Sequence, residues 1–454
     1  MDWILSFSTT ILVFIAAIFI LVTIHELGHF LAAKFFKMRV NKFSIGFPPK
    51  IFGFKKGETE YVIGATPLGG YVQIAGMIDE SMDDSFVEEE IKPDEFRSRP
   101  VWQRTVVILA GVIFNMILAI FIYAGMAWNY GETVVPVHSI DGIYVQEGSV
   151  ASQIGLQSGD KIIGVNGREV EYFNQLFSPS SITDRELSFL VQRDGETLSI
   201  PTPPNFLDLI NREGRFIDET NALPSKVSRV LDGSPAYEAG LRAGDVIVAV
   251  DGEEVGYWLH LVSIIQNSEG ALNFEIRRMA ESETHSEIVL LQIQPDPETK
   301  TIGIQAPHPS EVFDLQQKSY NAAQAFGVGF DRTNDTFFGI IKGIGRMFSG
   351  DISVRENLGG PVAIANITRE ATDAGGWRGF WNITAFLSIT LAIMNMLPIP
   401  ALDGGHFMFL MYEGITRREP SPKVRMGLQQ LGFIFLIGLF ILITFNDILR
   451  TFGG

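Results

Sequence analysis

The sequence predicts a polytopic α-helical membrane protein: four transmembrane helices, with a β-rich insert between the second and the third. Three observations carry this. Four uncharged runs reach membrane length, namely Trp3–Ile24, Thr105–Gly131, Phe380–Leu402 and Gly427–Asn446. Hydrophobic residues make up 46% of the 454 and Phe alone numbers 35, which is rich for a soluble chain. The polar stretch between the second and third runs contains an internal repeat, the mark of a duplicated domain.

The first run leads into His25-Glu26-Leu27-Gly28-His29. On a helix, residues four apart lie one above the other, so both imidazoles face the same way. Two neutral imidazoles so placed can bind Zn²⁺, and the carboxylate between them can take a proton from a water that the metal polarises. Three titratable residues closing a membrane-length segment are costly unless paired or functional. The run lacks a basic leader and a small-residue cleavage site, so it reads as a retained helix.

Lys and Arg crowd the segment between the first and second runs, among them Lys34, Lys37, Arg39, Lys42, Arg97 and Arg99. Arg417, Arg418, Lys423 and Arg425 lie between the third and fourth. The positive-inside rule places both segments in the cytoplasm, with both termini and the long insert on the opposite side. The zinc motif then lies toward the cytoplasmic side. A net charge of −17 argues against nucleic acid as a partner. The acid is concentrated from Asp79 to Glu95, read as a solvated segment. With no cysteine, neither disulfides nor a thiolate zinc site is possible, and any metal must be held by His and carboxylate.

The repeat sets GSVASQIGLQSGDKIIGVNG, residues 148–167, against GSPAYEAGLRAGDVIVAVDG, residues 233–252, with ten of twenty positions identical at an offset of 85. Each copy reads as a short helix, a Gly-Leu-x-x-Gly-Asp turn, an apolar strand and an Asn-Gly or Asp-Gly turn. This resembles the PDZ fold of bacterial envelope proteases, a small β-domain with a groove for an extended peptide. Such domains could bind peptide ends or act as a size filter or spacer. After Pro307, apolar residues at near-helical spacing, including Phe326, Phe330 and Phe338, suggest amphipathic helices lying on the membrane.

A catalytic zinc needs a third protein ligand and keeps its fourth position for water. The third run ends in Asn395-Met-Leu-Pro-Ile-Pro-Ala-Leu-Asp403-Gly-Gly-His406. Pro398 and Pro400 break the helix, and irregular backbone at membrane depth is tolerated only where it is covered or lines a polar cavity. Asp403 is therefore the candidate third ligand. Asn395 could hold the substrate backbone or polarise the scissile carbonyl. His406 is a rival donor, for which a supporting or structural role is expected.

The two motifs together resemble the site-2 protease family of intramembrane zinc metalloproteases, over almost the whole chain. The resemblance implies that His25, His29 and Asp403 bind Zn²⁺, that Glu26 is the general acid/base and that Asn395 handles substrate. It further implies that Tyr61 to Gly76, with Gly69, Gly70 and Tyr71, forms a membrane-reentrant β-hairpin whose edge receives an unwound substrate helix. The implied partners are a single-pass transmembrane protein of the anti-sigma-factor type, the lipid bilayer and possible peptide C-termini at the PDZ domains. The implied location is a bacterial inner membrane, with the PDZ pair periplasmic and excluding folded ectodomains until another protease has trimmed them. Remnant signal peptides are a further implied substrate. The expected domains are 1–36, the first helix with the zinc motif; 37–100, with the hairpin; 101–131, the second helix; 132–220 and 221–308, the PDZ pair; 309–378, amphipathic helices; 379–411, the third helix with Asp403; and 412–454, a loop and the fourth helix.

Overall fold

A computed structural model describes residues 2–77, 90–213, 216–279, 286–357 and 359–452, so most of the acidic stretch from Asp79 lies outside the described residues. The chain forms two compact units. One comprises Met1–Tyr130, Ser319–Ile341 and Leu358–Gly454; the other comprises Gly131–Lys318 and Lys342–Asn357.

In the first unit, α1 (Asp2–Phe35) and α2 (Val101–Tyr130) pack on each other and on α11 (Pro361–Met396). Four described stretches are long and apolar enough to cross a membrane: Leu12–Phe35, Val101–Tyr130, Pro361–Met396 and Pro422–Asp447. The first helix does not end before the zinc motif. Leu27, Phe30 and Leu31 prolong its apolar surface, and it stops only where Lys37 turns left-handed at φ 57°. Pro100 precedes α2 at a position where a missing N–H costs nothing, and Gly131, left-handed at φ 63°, follows its end. The third helix begins at Pro361, well before Phe380, and is broken at Gly376, whose φ of 55° and ψ of −139° no helix contains. The segment 309–378, expected to be amphipathic helices, also carries the first half of α11 and a strand.

Strands β1 (Val40–Lys56) and β2 (Thr59–Ile74) are longer than a simple hairpin and fold over themselves. Lys42–Ile45 lies beside Glu60–Ile63 on one side and Gly70–Gln73 on the other, while Lys50–Lys56 pairs with Thr59–Gly64. The stretch Gly70–Ile74 is thus an outer ribbon of the sheet. Met38, Val40, Val72 and Ile74 are buried with Ala33, Val107 and Ile108, which fixes that ribbon against α1 and α2.

The second unit opens with β3 (Glu132–Val134), and its two repeats have the same topology. The first contains α3 (Val150–Gln153), β4 (Lys161–Val165), β5 (Arg168–Glu169), α4 (Pro179–Ile182), β6 (Ser188–Arg193), β7 (Glu196–Pro201) and α5 (Phe206–Glu213), its strands ordered β5-β4-β6-β7. The second contains β8 (Arg229–Val230), α6 (Pro235–Glu238), β9 (Val246–Val250), β10 (Glu253–Glu254), α7 (Trp258–Asn267), β11 (Leu272–Met279), β12 (Ser286–Ile293) and β13 (Ile304–Gln305). Its main sheet runs β10-β9-β11-β12, and β13 pairs with β8. The offset of 85 carries the buried set Leu156, Ile162, Phe189 and Val191 onto Leu241, Ile247, Phe274 and Ile276. Asn166-Gly167 and Asp251-Gly252 are all left-handed, as a tight primed turn requires.

The Gly-Asp of each motif has a structural task. Asp160 and Asp245, both nearly fully buried, each accept two hydrogen bonds from one arginine: Arg193 at 2.6 and 2.7 Å, Arg278 at 2.8 and 2.7 Å. The same arginines donate to the carbonyls of Gly155 and Gly240. That bond to aspartate holds each guanidinium above its ordinary pKa. After the repeats come α8 (Pro309–Val312) and β14 (Gln316–Lys318), which pairs with β3 and so closes the insert on its own first strand. Helices α9 (Ala322–Ser349) and α10 (Val354–Asn357) follow.

Candidate metal centre

The helical spacing of the zinc motif does what the sequence predicts. His25, Glu26 and His29 are all buried on one stretch of α1. The third contributor arrives by a different route. Helix α11 ends at Met396, and Pro398 and Pro400 cannot donate the backbone bonds that would prolong it. The chain turns through Ala401, strained at φ 85°, and restarts as α12 (Asp403–Thr416) with Asp403 in its first turn. Gly404 and Gly405 allow that restart to tuck in: a Cβ would stand 2.1 Å from the carbonyl oxygen of Leu397 or 2.5 Å from that of Ile399.

Asp403 Oδ2 lies 3.1 Å from His25 Nε2 and 3.4 Å from His29 Nε2, and the two imidazole nitrogens are 3.1 Å apart. Among the described residues these three form the one group of His and acidic side chains able to share an ion. Ligands about 2.0–2.1 Å from a tetrahedral zinc stand about 3.3 Å from each other, close to what is observed. The donor chemistry fits as well. Nδ1 of His29 can only donate to the Val107 carbonyl, 2.8 Å away, which leaves Nε2 as a bare lone pair. Asp403 Oδ2 is buried without a hydrogen-bond donor. Acceptors facing one another at this distance are unstable unless a cation joins them.

Close packing sets the site. A Cβ on Gly28 would lie 2.5 Å from the Ala110 carbonyl oxygen, and one on Gly111 would lie 2.4 Å from His29 Nε2. Glycine at both positions lets α1 and α2 approach closely enough for α2 to back the imidazoles. Glu26 lines a cleft of about 50 Å³ beside Tyr71, Asp403 and His406, enough for one or two waters.

The other expected residues fall into three groups. Asn395 reaches the centre, its Nδ2 3.2 Å from His25 Nε2. Gly70 is close as well: a Cβ there would stand 3.1 Å from Glu26 Cγ, so only glycine lets the outer ribbon touch the acid. Gly69 faces away, toward the ring of Phe47. His406 lines the cleft, but its Nε2 lies 3.0 Å from the amide nitrogen Nε2 of Gln429 and it does not join the three candidate ligand atoms. Sequence reasoning passed over Gly111 and Asn115, one helical turn apart on α2. A polar amide in the middle of an apolar span was the available signal.

Residues 13–439 match the model of Peptidase family M50. The chain is 31% identical to the regulator of sigma-E protease RseP of Salmonella typhimurium over 471 residues, covering 98% of this chain and 100% of the relative. It is 30% identical over 467 residues to the regulator of sigma E protease of Haemophilus influenzae, with the same coverage. A protein of Neisseria meningitidis bearing a zinc-metalloprotease name is also 30% identical over 467 residues, again at 98% and 100% coverage.

Proposed function

The chain belongs to peptidase family M50 and is a zinc metalloprotease; from that premise we propose that it cleaves the transmembrane segments of single-pass membrane proteins. His25, His29 and Asp403 hold the metal and Glu26 is the general acid/base. The observation that carries this reading is the meeting of three acceptor atoms, from a membrane-length helix and the restart at Asp403, beside a buried glutamate.

Bound there, Zn²⁺ supplies Lewis-acid polarisation of water and of the scissile carbonyl. Glu26 receives the proton of the attacking water and delivers it to the leaving amide nitrogen as the C–N bond breaks. Asn395 donates its amide hydrogen to the substrate, either to the scissile carbonyl oxygen or to a neighbouring one. A peptide bond inside a membrane helix is shielded by its own hydrogen bonds, so cleavage needs local unwinding and a partner for the freed backbone. The ribbon Gly70–Ile74 offers such a partner: it is held by β1 along one edge and runs past Glu26.

The Lys- and Arg-rich segments flanking α1 and α12 favour a cytoplasmic catalytic side, in a bacterial inner membrane. The paired repeats are read as PDZ domains on the opposite side, excluding substrates that still carry folded ectodomains. The similarity to regulators of sigma-E protease makes an anti-sigma factor the first substrate to try, and remnant signal peptides the second. The direct test compares the membrane proteomes of cells carrying the wild-type protein and Glu26→Gln. Uncut, ectodomain-trimmed single-pass proteins should accumulate in the variant, and identical proteomes would refute the assignment.

A further inference from the structure

Asn115 is completely buried on α2, one turn past Gly111. Its Nδ2 stands 3.3 Å from Nδ1 of His25, while its Oδ1, also buried, has no hydrogen-bond partner. Its backbone carbonyl accepts a hydrogen bond of 2.8 Å from Ser388 Oγ, so α11 pins this turn of α2 in place. A mid-span amide held this firmly, with half of its hydrogen-bonding capacity unused, calls for a partner that needs an acceptor.

His25 is that partner. Its Nε2 faces Asp403 Oδ2 at 3.1 Å and the Asn395 amide nitrogen at 3.2 Å. To ligate a metal, Nε2 must be a bare lone pair, and the ring hydrogen then sits on Nδ1. An Nδ1–H against an NH₂ sets donor against donor. A half-turn of the terminal amide exchanges its oxygen and nitrogen without moving other atoms, and Oδ1 then accepts the Nδ1–H. One rotation satisfies both the idle oxygen and the histidine.

We propose that Asn115 is a positioning residue whose Oδ1 fixes the tautomer and ring orientation of His25, as the Val107 carbonyl does for His29. The inference rests on the zinc reading above. Of the three side chains that would hold the metal, the two histidines are thereby both oriented from α2, one by backbone and one by side chain.

The test is the zinc affinity of the purified full-length protein, measured by chelator competition, for the wild type, Asn115→Leu and Asn115→Asp. Leucine keeps the volume and removes the acceptor; aspartate keeps the shape and is acceptor only. Asn115→Leu should bind zinc more weakly by on the order of 10- to 100-fold, while Asn115→Asp should match or exceed the wild type. A packing role predicts wild-type affinity for leucine, and a donor role predicts loss with aspartate; either result overturns the proposal. A wild type that binds no zinc would instead refute the metal assignment itself.

Discussion

Gly111 on α2 occupies a point from which a methyl group would reach within 2.4 Å of Nε2 of His29 and 2.6 Å of the His25 ring. The contact is with the ligand edges themselves, so the ring positions are set partly by what α2 lacks. Gly111→Ala should displace an imidazole or the helix by about 1 Å, and a misplacement of that size costs on the order of 10²-fold in activity. Zinc content should fall with it. Gly125→Ala on the same helix, where a Cβ meets nothing within 4 Å, should leave both unchanged. Equal activity in the two variants would dismiss the contact as unimportant.

Glu26→Gln keeps the shape of the side chain and removes its basicity. Zinc content and thermal stability should stay near wild type, while turnover of a transmembrane substrate falls by several orders of magnitude, because general acid–base catalysis and water activation fail together. Near-normal turnover by the purified variant would remove Glu26 from its role.

Asp403→Ala deletes one of three acceptors at the centre. Bound zinc, read by metal analysis after gel filtration, should drop together with activity. Chelation of the wild type should abolish cleavage reversibly, with activity returning on added Zn²⁺. If Asp403→Ala retained full zinc and activity, His406 would become the candidate ligand, although Gln429 already engages its Nε2.

The buried pairs in the repeats predict a stability effect of their own within the second unit. Asp245→Ala leaves Arg278 without its carboxylate and should destabilise the second repeat by about 3–5 kcal/mol. Hydrogen exchange at the buried amides of β9 and β11 in the full-length protein should accelerate. Replacing both partners with apolar residues should recover much of the loss, since no charge is then left unpaired. Unchanged exchange in Asp245→Ala would show the pair to be inert.

Read as a size gate, the insert should be dispensable for chemistry. Deleting 131–318 should leave cleavage of a substrate with a short ectodomain intact and admit the same transmembrane segment carrying a long one. A deleted enzyme that still rejects the long substrate while cutting the short one would sink the gate, and loss of both activities would make the repeats part of catalysis.

The group His25, His29 and Asp403 was legible in the sequence because its chemistry is local: a four-residue spacing on a helix, and a proline break that exposes an aspartate. The repeat was legible because identical residues recur at one offset. Three features were not. The folding of β1 and β2 into an overlapping sheet depends on register shifts such as the double pairing of Ser44 with Val62 and Tyr71, which no alternation pattern encodes. The early start of α11 at Pro361 escaped because charged and small residues precede its apolar half. Gly111 and Asn115 looked like ordinary span residues, since their meaning lies in what α1 places opposite them.

The pairing of β3 with β14 brings the two ends of residues 131–318 together. Lys318 lies opposite Glu132, so the two ends of the insert stand about one strand spacing apart, roughly 5 Å. Gly131 at the junction has no room for a side chain, since a Cβ would stand 2.2 Å from the Lys318 carbonyl oxygen. The stretch 131–318 is thus a parenthesis in the chain, opened and closed at one seam, with Lys342–Asn357 joining its compact unit from outside the brackets. A linker of a few residues is long enough to span the two ends of that stretch.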